Sequence, residues 1–177
     1  MKMGKRSSFE RVEKDYYPTP PKALEPLVWH LPEVFTFAEP CAGDGRLIHH
    51  IQQARPRAEC VLALDIEPRA DNILQGDALT FPGQFLKATY IITNPPWSRD
   101  ILHQMIWKFS LIAPTWLLFD ADWAYTKQAK PFLAYLSKIQ VVGRVKWIEG
   151  SKMTGKDNVA WYLFDQRAPM GETMFYG

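Results

Sequence analysis

The stretch that most constrains this chain is Ala88-Thr89-Tyr90-Ile91-Ile92-Thr93, which runs straight into Asn94-Pro95-Pro96-Trp97. The first six residues are β-branched, aromatic and too few for an ordinary helix, so they read as a buried strand. Two consecutive prolines then end any ladder, because neither carries a backbone N–H. The result is a stiff corner at the strand's carboxyl end, presenting a carboxamide, a proline carbonyl and an indole. An amide oxygen and a carbonyl each accept a hydrogen bond from an exocyclic amine, and an indole face stacks on a planar ring. Such a corner suits a flat amino compound held while its nitrogen attacks. The plainer reading is a proline-rich turn with Trp97 packed on the core.

Strand and helix patterns alternate around this corner. Tyr17-Pro18-Thr19-Pro20-Pro21 is stiff and extended, because each residue before a proline is pushed away from the helical region. Thr19 is placed to cap a helix over roughly Pro20 to His30, with Leu24, Leu27, Val28 and Leu31 on one face. Val34 to Ala38 is a strand, Leu47 to Ala54 a helix, Cys60 to Leu64 the next strand, and Ile73-Leu74 a short one. After the corner, Arg99 to Ser110 is an amphipathic helix, Thr115 to Phe119 a strand and Lys127 to Ser137 a helix. Two further strands, Ile139 to Ile148 and Val159 to Phe164, close the chain with no helix between them. This order predicts an α/β fold: a doubly wound, mostly parallel seven-stranded sheet with a C-terminal antiparallel hairpin.

The chain has 177 residues, enough for one domain with a sizeable core. The expected organisation is a basic arm over residues 1–14 and a single domain over 15–177, with no separate target-recognition domain. No apolar run approaches the ~18–20 residues of a membrane span. The charged N-terminus is not a secretory signal. Two cysteines, Cys41 and Cys60, imply no disulfide framework and suit a reducing cytoplasm. With so few Cys and His, no structural zinc site is expected. Charge is unevenly spread: residues 1–14 hold five bases against two acids, 33–122 seven against eleven, and 127–156 seven against Glu149 alone. Basic ends around an acidic middle suit a polyanion binder, or are simply solvated surface.

In an open α/β sheet, ligands bind beyond the carboxyl ends of the strands. Glu39-Pro40-Cys41-Ala42-Gly43-Asp44-Gly45 is a strand-to-helix turn there, with Gly43 and Gly45 free to adopt positive φ. Asp65 ends the next strand, where a carboxylate can accept from two ribose hydroxyls. Asp77 follows a third strand, within reach of an adenine amino group. Both aspartates also read as plain turn formers. Asp122 and Trp123 lie at another strand end, as target-pocket residues or as loop. Lys152 and Lys156 sit in a polar loop, on phosphates or in solvent. His49, His50, Trp29, Trp107 and Trp116 read as packing or surface residues.

Taken in order, these motifs resemble the class I S-adenosylmethionine-dependent DNA adenine-N6 methyltransferases of the small phage or prophage type. Asn94-Pro95-Pro96-Trp97 is similar to the catalytic (Asp/Asn)-Pro-Pro-(Tyr/Phe/Trp) motif. Glu39 to Gly45 resembles the turn around the methionine part of the cofactor, and Asp65 and Ile66 resemble the ribose loop. Gly76-Asp77-Ala78-Leu79 is similar to the adenine loop. Tyr17-Pro18-Thr19-Pro20 resembles the segment that closes over the cofactor carboxylate. The pair Val145-Lys146-Trp147-Ile148 and Asn158-Val159-Ala160-Trp161-Tyr162 is similar to the family's terminal hairpin. The resemblance implies a Rossmann-like fold, S-adenosylmethionine as cofactor and no metal. It also implies methylation of adenine N6 in double- or single-stranded DNA inside a bacterial cell, with relaxed or short sequence preference or a second subunit supplying recognition. Trp97 stands where Tyr or Phe is more usual in the family. The Asn form of the motif is shared with enzymes that methylate RNA amines and protein glutamine. A non-catalytic cofactor- or DNA-binding protein on the same scaffold is the remaining alternative.

Overall fold

The computed structural model describes residues 17–82, 87–147, 155, 157–168 and 171–177. The arm over 1–14, Lys152 and Lys156 lie outside them. Eight strands form one sheet: β1 (Val34–Glu39), β2 (Arg57–Asp65), β3 (Leu74–Gln75), β4 (Tyr90–Thr93), β5 (Thr115–Asp120), β6 (Leu136–Arg144), β7 (Asn158–Phe164) and β8 (Met174–Tyr176). Their order is β3-β2-β1-β4-β5-β7-β6-β8. β3, β2, β1, β4 and β5 are parallel, and β7 runs antiparallel between β5 and β6. This is the expected doubly wound α/β sheet with its C-terminal hairpin. An eighth short strand extends it, because Met174 to Tyr176 pairs parallel with β6 after the chain was expected to have closed.

The central strand β5 is buried on both faces and reads as a continuous apolar run. Its side chains alternate, as a pleated strand requires. Trp116 and Leu118 pack toward α1 (Pro21–Val28) and α2 (Arg46–Ala54), with Leu24, Leu27, Leu47 and Ile51. Leu117 and Phe119 pack toward α3 (Arg99–Ile112), with Leu102, Met105, Ile106 and Phe109. Each such side chain, fully buried, contributes about 1.5–3 kcal/mol. The Trp161 indole N–H donates to the Ala23 carbonyl at 2.7 Å, which ties α1 to β7. Among the described residues, no helix is long and apolar enough to cross a membrane.

Three local expectations are corrected. Thr19 does not cap α1: the N-cap is Pro20, with no side-chain cap. Lys127 to Ser137 is not an α-helix but a 3₁₀ segment over Lys127–Tyr135, following another over Ala121–Tyr125. Pro131 lies in its middle, where a missing N–H and a ring clash disfavour α geometry. β6 starts earlier than expected and ends at Arg144, after a register shift at Gly143, which has φ 83°.

Candidate active site

The sheet order reverses between β1 and β4, and beyond their carboxyl ends lies a cavity of about 400 Å³. Its walls come from the turn after β1, the ends of β2 and β3, the corner after β4 and the start of α3. Of the residues expected here, Tyr17, Thr19, Glu39, Pro40, Ala42, Gly43, Asp65, Ile66, Asp77, Ala78, Asn94 and Pro96 line it. Pro20, Gly45, Pro95 and Trp97 do not.

The turn after β1 is held from several directions. Gly43 and Gly45 take φ of 56° and 81°, a region that costs other residues about 1–2 kcal/mol. Ala42 N–H donates to the Leu64 carbonyl at 2.9 Å, and Gly45 N–H to the Ala42 carbonyl at 2.7 Å. The Gly43 N–H donates to Asp65 Oδ2 at 2.7 Å, and Asp65 Oδ1 accepts from the Glu67 N–H at 2.8 Å. Asp65 is thus a turn former as well as a pocket-lining carboxylate. Asp77 Oδ1 likewise accepts from the Leu79 N–H at 2.8 Å.

Glu39 differs from these aspartates. It is 2% exposed, and its Oε2 has no hydrogen-bond partner among the described residues. Burial pushes its carboxyl well above the ordinary value, and the charges of Asp65 and Asp44 push the same way. Cys41 is also raised, chiefly by burial, so it lines the cavity as a neutral thiol. Among the described residues, no group of three or more His, Cys, Asp or Glu is arranged to hold a metal ion.

Across the cavity, the Asn94 carboxamide is oriented at both ends. Its Nδ2 donates to the Tyr17 carbonyl at 3.0 Å, and its Oδ1 accepts from the Trp97 indole N–H at 3.4 Å. The Trp97 ring meets Trp147 edge-on, centroids 5.8 Å apart, and Trp147 meets Tyr17 at 6.2 Å. Gly155 fits closely beneath this cluster: a Cβ there would meet the Val145 carbonyl oxygen at 2.9 Å. Arg99, the first residue of α3, pairs with Asp120 at the end of β5 at 3.1 Å.

Two expected target-pocket residues fall elsewhere. Trp123 is fully buried in an aromatic core, edge-on to Phe119 at 5.2 Å, and its N–H donates to His103 Nε2 at 3.1 Å. Asp122 is exposed and does not line the cavity. Sequence reasoning missed Ile101 and Met105, which reach the cavity from one face of α3; their i, i+4 spacing just after the corner was the available signal. It also missed the contact of Trp147 with the corner. Those residues are 50 apart, and nothing local announces it.

No protein-family model matches the sequence, and no curated protein does either. Solved structures do match its fold. A dimethyladenosine transferase of Plasmodium falciparum is 17% identical with a TM-score of 0.58, over 84% of this chain and 63% of that one. A candidate RNA methyltransferase of Pyrococcus horikoshii is 17% identical with a TM-score of 0.61, over 91% and 92%. The M protein of the type I restriction enzyme EcoKI is 12% identical with a TM-score of 0.54, over 90% and 46%. The chain therefore spans less than two thirds of the first and under half of the third. At these identities the likeness establishes the fold alone: a Rossmann-like methyltransferase fold.

Proposed function

We propose that this chain is an S-adenosylmethionine-dependent methyltransferase acting on the exocyclic N6 of adenine in DNA, with relaxed or short sequence preference unless a second subunit supplies recognition. The observation that carries the reading is the sharing of one cavity by the glycine turn, the buried Glu39 carboxyl whose Oε2 has no hydrogen-bond partner among the described residues, and the Asn94 corner. A buried carboxyl oxygen without a partner is costly, and a cationic ligand would relieve that cost. Glu39 is therefore suited to the cofactor's ammonium group, Asp65 to ribose hydroxyls, and Ile66 with the Asp77-Ala78 turn to adenine. The bound cofactor supplies a methyl group on a sulfonium, already a strong electrophile.

The chain's own part is positioning. Asn94 Oδ1 and the Pro95 carbonyl accept the two N6 hydrogens, which turns the nitrogen lone pair toward the cofactor side. The bonds from Trp97 and to Tyr17 fix which end of the carboxamide faces the amine, and an amide oxygen has a second lone pair for the substrate. Asn94 is not a base, so the proton leaves N6 to solvent after the methyl has moved. A duplex base must leave the stack to reach the corner. Trp97 stacks on it once its edge contact with Trp147 opens.

The same corner suits an adenine of RNA, and the names of two of the neighbouring structures, a dimethyladenosine transferase and a candidate RNA methyltransferase, favour keeping that second reading. Nucleoside mass spectrometry separates them. The protein is incubated with S-adenosylmethionine and unmethylated duplex DNA, single-stranded DNA or RNA, with Asn94→Ala as control. The expected product is N6-methyldeoxyadenosine, made only by the wild type. N6-methyladenosine from RNA alone would move the assignment to RNA, and no methylated base in any tube would contradict both readings.

A further inference from the structure

Lys108, on α3, lies outside the cavity lining and had no assigned role in the sequence. Its ammonium group donates to three carbonyls of one short loop: Ala78 at 3.0 Å, Leu79 at 2.8 Å and Phe81 at 2.5 Å. A lysine has three N–H donors, so these bonds account for all of them. Two of the three acceptor residues, Ala78 and Leu79, line the cavity.

Three of the loop's own N–H groups are already spent in the opposite sense. Leu79 N–H donates to Asp77 Oδ1, while Thr80 and Phe81 N–H donate to the Asp77 carbonyl at 3.1 and 2.9 Å. Carbonyls left over from such a tight turn converge, much as at a helix C-terminus, and a cation at that end is favourable. Partial burial lowers the Lys108 pKa, while the nearby Asp77 carboxylate opposes that shift. The ammonium is thus partly stripped of water and held by the loop.

We propose that Lys108 is a positioning residue for the cofactor, clamping the Asp77–Phe81 loop from outside the cavity into the shape that receives the adenine ring. The inference rests on the proposed cofactor. Without the clamp the loop samples other shapes, and apparent affinity falls in proportion to the fraction that remains competent. Only adenine-side affinity should suffer. The Asn94 corner lies on the far side of the cavity, so turnover at saturating cofactor should not change.

The test compares wild type, Lys108→Met and Lys108→Arg by calorimetry with S-adenosylhomocysteine and with adenosine, by steady-state kinetics, and by amide hydrogen exchange of the ligand-free proteins. Lys108→Met should raise both dissociation constants by the same factor, about tenfold if a tenth of the loop population stays competent. It should raise the KM for cofactor with kcat unchanged, and the amides of Leu79, Thr80 and Phe81 should exchange faster. Lys108→Arg, whose flat guanidinium cannot converge on three carbonyls in the same way, should fall between them. If Lys108→Met does not fold, exchange at Leu79–Phe81 in Lys108→Arg decides: rates equal to wild type overturn the clamp. Wild-type affinity in Lys108→Met, or a loss confined to kcat, also overturns it while leaving the cofactor assignment intact. Failure of the wild type itself to bind either ligand overturns both.

Discussion

The two sides of the cavity are built on different principles. On the β1–β2–β3 side, the turns are fastened by short bonds between carboxylates and backbone N–H groups, such as Asp65 to Gly43 and Glu67, and Asp77 to Leu79. On the β4–β5 side, the Asn94 corner is oriented by distant segments. Its Nδ2 reaches Tyr17, and Trp97 leans on Trp147. The first side holds its shape through charged side chains bonded to its backbone, Asp65 and Asp77 from within and Lys108 from α3, and is preset for one ligand. The second depends on tertiary packing, so its geometry can be retuned through a remote aromatic residue without touching Asn94. Tyr17 joins the two sides, since it lines the cavity while its carbonyl holds the carboxamide.

If the sides are separable, substitutions should divide cleanly between turnover and cofactor affinity. The largest effect is expected for Asn94→Ala, where loss of the acceptor that aims the amine should cut turnover about 10²–10³-fold, read by methylated-nucleoside yield. Next is Asp65→Ala, which leaves the Gly43 and Glu67 N–H groups without their charged acceptor. A loss of about 2 kcal/mol, or roughly 30-fold in cofactor affinity, should follow, with a lower Tm and kcat at saturating cofactor preserved.

Glu39→Gln sharpens the comparison through pH. The Glu39 carboxyl is raised in the folded protein, chiefly by burial. Between its ordinary value and the raised one, the folded state keeps a proton that the unfolded state has lost. Stability is therefore full below the ordinary carboxylate range and falls as pH rises through that window. Relative to Glu39→Gln, wild-type Tm should drop as pH rises above the ordinary carboxylate range, at about 2–4 °C per kcal/mol. Cofactor affinity should move the other way, weaker in the variant because a neutral amide replaces the partner of an ammonium. A Glu39→Gln protein with unchanged affinity would break the proposed role of that carboxyl. The smallest effect belongs to Trp97→Phe, which keeps a ring against Trp147 but removes the N–H to Asn94. One modest hydrogen bond of about 1 kcal/mol predicts a roughly fivefold drop in kcat with cofactor KM unchanged.

The same division explains what could be read in advance. The Gly43 and Gly45 turn, the strand-ending Asp65 and the Asn94 corner each carry their reason within a few residues, as special φ, a turn carboxylate or a proline pair. All three fell at one end of the sheet. Trp123 was misplaced because a strand-end aromatic looks the same whether it faces a cavity or, as here, completes a core with Phe119 and Tyr162. The 3₁₀ segment over Lys127–Tyr135 was signalled by Pro131, although its apolar spacing suggested an α-helix. The Trp97–Trp147 contact and the convergence of Ala78, Leu79 and Phe81 on Lys108 arise only when the chain folds back on itself. Periodicity and local turn chemistry carry no trace of them.

The most direct test of the account is the dissociation constant for S-adenosylhomocysteine, measured by calorimetry on wild type, Asn94→Ala and Asp65→Ala side by side. The account predicts one site per chain, equal affinity in wild type and Asn94→Ala, and markedly weaker binding in Asp65→Ala. No binding by the wild type, or an Asn94→Ala loss as large as that of Asp65→Ala, would contradict it.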